Sequence, residues 1–364
     1  KLADGIPDHT AFHILADCSK VTICSVGSAF APASFVVISC TAKEILIVIV
    51  VCDIYIFQCN ITLCVGCVDL AALLIIKNKS AKKELPSIDV LTGGKFKYGS
   101  FDGVRLNMEQ KGPDGSISMF NPERIGRGMS VGFGDNEISL FLPLPSSAEE
   151  IADFYATAAR VADFWNKEVE VSQGGEIFDP YNSSKLAEAA KASSIESIKE
   201  ITSGKFQKPI LFCARWALYL GEGDLKFLKE GNPLEAFSEY MHRMQNIDAY
   251  YARPNIMTTK RRDCVFGMYV FTEGVVSIVP AIPRCPFGFK NAKTGRPIEI
   301  EDWYISIYSH DEESVLGHLM YDDFLKALKK EDYLHYDAQN ILLKGLTRER
   351  IDFMLKKFGT LPPN

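Results

Sequence analysis

No arginine and no methionine occurs before Arg105, although the chain holds 13 and 9 of them. Seven of its ten cysteines (Cys18, Cys24, Cys40, Cys52, Cys59, Cys64 and Cys67) precede Val68, so the composition breaks near residue 77. An excess of positive charge is also missing. Forty basic against 46 acidic side chains give a net charge of −6, which argues against broad electrostatic capture of nucleic acid, a process driven by counterion release from a basic surface. There is no G-x-G-x-x-G, no H-E-x-x-H and no internal repeat. These absences remove the common dinucleotide and helical zinc signatures, and no cofactor is expected. With 47% hydrophobic and 24% charged residues, collagen-like, coiled-coil and wholly disordered readings are excluded.

What is present at the N-terminal end is apolar. Val21 to Ala42 is uncharged, and Ile45 to Ile76 is interrupted only by Asp53 and Asp69 before the cluster Lys77, Lys79, Lys82 and Lys83. Three readings of this region stand side by side. The runs between 21 and 76 are membrane spans, with the lysines on the cytoplasmic side. Alternatively, Ile45–Val51 and Ala71–Ile76 are buried strands rich in β-branched residues. In the third reading, residues 1–72 are a hydrophobic, cysteine-rich extension that is not native coding sequence, since the chain starts at Lys1 and lacks arginine there. A secretory signal fits poorly, because Asp4, Asp8 and Asp17 precede any apolar stretch. Cys59, Cys64 and Cys67 have a C-x4-C-x2-C spacing found in iron–sulfur proteins. The next cysteine, Cys213, is remote, and apolar neighbours suit buried thiols better.

Residues 73–364 read as an α+β body, with antiparallel sheet and packed amphipathic helices, because strands and helices come in clumps and not in alternation. Ser116–Phe120, Gly128–Phe133 and Ile138–Leu142 are predicted strands, the last two flanking a turn at Gly134–Glu137 as a hairpin. Ser147 with Glu150 three residues on forms a capping box. The stripe Ile151, Phe154, Tyr155, Ala158, Val161, Ala162 and Trp165 then predicts a helix with one buried face. Further helices are expected over Ser184–Ile201, Pro233–Gln245, Leu319–Leu328 and Thr347–Phe358, and strands over Cys264–Phe271, Val275–Val279 and Trp303–Tyr308. Pro209–Leu220 is ambiguous between strand and helix.

Several segments resemble a known family: Leu73–Lys79, Pro122–Ser130, Leu140–Pro145 running into the Glu149–Trp165 helix, Ala217–Glu222, Ile247–Tyr251 and Asp302–Tyr304. Together they are similar to a bacterial family catalogued as a domain of unknown function, number 4299, over about residues 73–364. The resemblance implies a bacterial, intracellular protein and assigns no activity.

Candidate site residues are few. The run Gly126-Arg-Gly128-Met-Ser-Val-Gly132-Phe-Gly134 invites a phosphate-loop reading, but a strand comes after it, so no helix N-terminus faces an anion. Arg124 and Arg127 remain as contacts for an anion or a protein partner. His335 and Asp337 are the alternative acid–base pair, with the acidic group Asp311–Glu313 beside His310. Lys260–Arg262 near Tyr250, Tyr251 and Phe266 suggests a solvated hairpin more than a single-strand nucleic-acid site. Tyr250–Tyr251, Trp303–Tyr304 and Tyr333 are amphipathic enough to anchor a protein partner. The expectation is a cytoplasmic, non-enzymatic binding or regulatory module. An enzyme using His335 and Asp337, or a membrane-tethered cytosolic domain, is the alternative. No metal and no nucleic-acid partner is expected, and a membrane is involved only if residues 21–76 span it.

Overall fold

The computed structural model describes residues 21–26, 33–40, 45–52, 71–102, 104–206, 209–259, 265–285, 300 and 302–363. The chain divides into two compact units, Lys1–Gln58 and Cys59–Asn364. In the first, β1 (Val21–Val26), β2 (Ala33–Cys40) and β3 (Ile45–Cys52) form an antiparallel meander, with Val21 opposite Cys40 and Cys40 opposite Ile45. Their β-branched content suits an extended backbone. No helix among the described residues is long and apolar enough to cross a membrane. Cys59, Cys64 and Cys67 lie outside the described residues.

The second unit opens with β4 (Ala71–Asn78), α1 (Ile88–Thr92), β5 (Lys97–Phe101), β6 (Leu106–Met108), β7 (Ile117–Phe120), β8 (Met129–Gly134) and β9 (Glu137–Pro143). Next come α2 (Ala148–Phe164), β10 (Val169–Gln173) and β11 (Glu176–Phe178). The strands join in the order β11-β10-β4-β9-β8-β7-β5-β6 with every neighbour antiparallel. The two-residue period of a strand puts Ala72, Leu74 and Ile76 of β4 and Ile138, Leu140 and Leu142 of β9 on one face. Helix α2 covers that face with Ile151, Phe154, Tyr155, Ala158 and Val161. At about 1.5–3 kcal/mol for each large apolar side chain fully buried, this packing, and not helix propensity, holds α2 in place. Its start is the predicted capping box: Ser147 Oγ accepts the Glu150 N–H, and the Glu150 carboxylate accepts the Ser147 N–H.

Helix α3 (Ser184–Thr202), short strands β12 (Ile210–Leu211) and β13 (Leu218–Tyr219), α4 (Glu222–Phe227) and α5 (Pro233–Gln245) are next in the chain. They enclose a second core of Ile198, Trp216, Leu218, Phe237, Tyr240 and Met241. The ambiguous Pro209–Leu220 run is thus two strand fragments, paired Ile210 to Tyr219, around a loop. Proline at the first turn of α5 sits where its missing N–H costs nothing.

The remaining elements are β14 (Tyr250–Tyr251), β15 (Pro254–Thr258), β16 (Val265–Thr272), β17 (Ser277–Pro280), β18 (Asp302–Ser309) and β19 (Ser314–Met320). Then come α6 (Tyr321–Ala327), β20 (Tyr333–His335), β21 (Asn340–Leu343), α7 (Arg348–Phe358) and β22 (Gly359–Thr360). They make a four-stranded sheet, β14-β17-β21-β20, and a five-stranded sheet, β15-β16-β18-β19-β22. Tyr269, Phe271, Ile305, Ile307, Phe324, Ile351 and Met354 fill a third core. The fold is α+β as expected, and antiparallel pairing dominates, with parallel pairs at β14/β17 and β16/β18. The predicted Leu319–Leu328 helix begins two residues later, because Leu319 pairs with Ile305 in the sheet. The strands on either side of Glu273–Gly274 enter different sheets.

Candidate functional site

A cavity in the second unit lies between two sheet edges, β6 of the eight-stranded sheet and β14 of the four-stranded one. The turn leading to its first wall is made by Asp102, outside the lining, whose Oδ1 accepts the N–H groups of Val104 and Arg105 and so turns the chain into β6. Asp102 Oδ2 takes Asn107 Nδ2 at 3.2 Å and pairs with Arg253 at 2.8 Å. At the β6 entrance Arg105 bridges Trp216, and the Leu106 N–H donates to the Arg215 carbonyl at 2.8 Å.

The Arg215–Trp216 segment is clamped from the end of α5. The fully buried Gln245 side chain accepts the Arg215 N–H at 2.9 Å and donates to the Trp216 carbonyl at 3.2 Å. Trp216 Nε1 donates to the Tyr336 hydroxyl at 2.7 Å, which donates to the Met244 carbonyl at 2.6 Å. Every polar group that fixes the indole plane is therefore satisfied. Tyr251 stacks on Trp216 with ring centroids 5.6 Å apart and planes 18° apart.

Two guanidinium groups lie on these aromatics, Arg215 4.3 Å from the Trp216 centroid and Arg105 4.8 Å from that of Tyr250. Stacking orients a guanidinium while leaving its in-plane N–H groups free for an oxyanion. Arg215 gives one terminal nitrogen to the Gln245 and Ile247 carbonyls, and Arg105 gives one to the Tyr251 carbonyl at 3.4 Å. Their remaining nitrogens have no hydrogen-bond acceptor among the described residues and are not buried. Burial lowers the Arg215 pKa from its ordinary value and raises that of the Tyr251 phenol. The cavity measures about 300 Å³ and its lining holds no carboxylate, imidazole or thiol.

A second, smaller cavity of about 40 Å³ shares Tyr251 and is lined by Tyr219, Tyr269, Arg284 and Cys285. It has room for water-sized molecules alone. Arg284 is held there by Gln339 Oε1 and Asn340 Oδ1, both at 3.0 Å, over the Tyr219 ring.

The residues singled out in the sequence sit elsewhere. Arg127 donates to the carbonyls of Phe212 at 2.9 Å and Leu144 at 2.7 Å, near the buried Glu150, so it ties chain segments together inside the body. Arg124 Nε donates to Ser238 Oγ at 2.8 Å. The glycines around them have structural reasons: Gly126 leaves space filled by the Glu150 carboxylate, and Gly128 has φ +73°. His335 is exposed, whereas Asp337 is buried and accepts the N–H groups of Gln339, Asn340 and Tyr219. Burial raises the Asp337 pKa, and the structure does not bring the two together as a proton relay. No cluster of three or more metal-binding side chains occurs among the described residues, and Lys260–Arg262 lies outside them.

His242 carries the clearest proton linkage. Its Nδ1 accepts the Ile125 N–H at 3.0 Å, and burial with the nearby Arg124 holds its pKa below the ordinary value. The unfolded chain then binds a proton before the folded one does. Stability is therefore expected to fall as pH drops below about 6.5, the ordinary imidazole value, until the folded pKa is passed. Urea titrations on either side of that value should show a smaller pH difference for His242→Gln than for the natural chain.

The fold and cleft thus define an α+β protein with an arginine–aromatic cavity at paired sheet edges. The family model described as "Domain of unknown function (DUF4299)" matches residues 72–354, and the chain belongs to that family. No curated protein and no solved structure matches it.

Proposed function

We propose that the body is a non-enzymatic binding module of the bacterial cytoplasm, and that it takes an oxyanion-bearing ligand in the cleft of Arg105, Arg215, Trp216 and Tyr250. One observation carries this reading: two pre-oriented guanidiniums with free N–H groups share a cavity whose lining holds no carboxylate, imidazole or thiol. Cys213 is a buried thiol outside any disulfide, which fits a reducing compartment. Tyr250, expected to be an anchor for a partner, lines the same cavity.

Calorimetric titration of the full chain with acetate and with inorganic phosphate tests the reading. Arg105→Gln is expected to weaken binding about tenfold or more, as loss of a charge-assisted contact does, with the melting temperature unchanged. Binding that ignores this substitution, or no binding of either anion, would refute it.

A further inference from the structure

The β6 edge narrows the ligand class, in an argument that rests on the oxyanion reading above. In an antiparallel strand the main-chain groups of successive residues point alternately to one neighbour and to the other. Glu109 donates its N–H to the Tyr98 carbonyl on the β5 side, and Leu106 donates outward to the Arg215 carbonyl. Asn107 therefore faces β5, opposite Ser100, and Met108 turns its N–H and C=O outward along the cavity wall. The outward edge is short. Behind Met108 it is already paired at Arg215, and ahead of it Glu109 leaves the strand with φ 59°. A through-running strand would need a longer ladder than this. A chain end needs a single residue's main-chain pair plus a cradle for its carboxylate, and Arg105 and Arg215 supply the cradle beside it.

We infer that the cleft binds the C-terminal end of a partner peptide in extended form. The terminal carboxylate lies on the free N–H groups of Arg105 and Arg215. The main chain of a preceding residue pairs with Met108, adding a short strand to β6. Charge complementarity commits the occupant: the lining offers two cations and no anion, and the carboxylate that acts on Arg215, Asp248, lies outside the lining. The half-exposed Tyr250 ring, with Met108 beside it, offers apolar surface to the peptide's side chains.

Fluorescence anisotropy on the full chain decides the matter. The probe is a fluorescein-labelled pentapeptide of alternating valine and threonine with a free C-terminal carboxylate, compared with its C-terminal amide and with acetate and phosphate as competitors. The acid form is expected to bind at least about tenfold tighter than the amide. Met108→Pro removes the outward N–H while leaving the β5 pairing of Asn107 and Glu109 in place. It should weaken the peptide about tenfold and leave acetate and phosphate within about twofold. Should the proline variant fail to fold, probes with one backbone amide replaced by an ester, position by position, make the same test on the natural protein. One such replacement should weaken binding. A peptide no tighter than acetate, or indifferent to both changes, overturns this inference while the oxyanion reading stands. So does tighter binding of an amidated peptide with internal glutamate, or of adenosine monophosphate. If acetate, phosphate and peptide all fail to bind, the oxyanion reading itself fails.

Discussion

Replacing Trp165 with alanine is expected to destabilise the second unit by about 3–5 kcal/mol. The indole closes the C-terminal end of α2 and is fully buried in the first core, among the residues of β4, β9 and β10. Alanine removes most of its volume, and the flanking strands are held in an eight-stranded ladder that cannot collapse into the space. A second loss is polar. Trp165 Nε1 donates to the Glu84 carbonyl at 2.9 Å, fixing the segment that leaves β4. Without the indole that carbonyl loses its partner. Trp165→Phe separates the two contributions, since it keeps much of the apolar volume and loses the donor. It is expected to cost about 1–2 kcal/mol. Urea denaturation followed by far-ultraviolet circular dichroism reads both values. A near-neutral alanine variant would mean that this helix face does not pack against the sheet.

Trp165 was legible in the sequence for the same reason that α2 was. A capping box and a 3.6-residue apolar stripe are local patterns, written within one helix. Hairpin β8–β9 and the proline-initiated α5 were readable on similar grounds. Where short segments take their structure from remote partners, local pattern fails. Leu319 adjoins the apolar helical pattern that runs on to Leu328, yet Ile305 draws it into β19. Pro209–Leu220 is apolar throughout, and only its pairing across the loop decides its form. The cleft was the least legible part. Arg105, Arg215 and Tyr250 come from three separate stretches of chain and meet through one β-bridge, one glutamine clamp and a ring stack. No spacing rule connects them. Arg124 and Arg127 drew attention because glycines surround them, as glycines surround many anion loops. In the fold Gly126 makes room for the carboxylate of Glu150, and Gly128 takes up a left-handed φ of +73°.

That carboxylate carries the second large expectation: Glu150→Ala should cost about 3–5 kcal/mol, on a par with the loss of Trp165. Glu150 is only 6% exposed, and burial raises its pKa, opposed by main-chain N–H groups of Gly128, Ser147 and Arg127 and by the Arg127 guanidinium. Gly128 donates to Oε1 at 2.7 Å and Ser147 to Oε2 at 3.2 Å. One side chain thus caps α2 and anchors the loop between β7 and β8. Truncation leaves buried donors unpaired and takes away the carboxylate that stabilises the buried Arg127 charge. Glu150→Gln retains the shape and one acceptor, so its cost should lie well below that of alanine. If the lost charge partner matters, Arg127→Met should cost less in the Glu150→Gln background than in the natural chain, because a guanidinium without its carboxylate has less to lose. Equal costs in the two backgrounds would show that Glu150 acts through its hydrogen bonds to the main chain and not through Arg127.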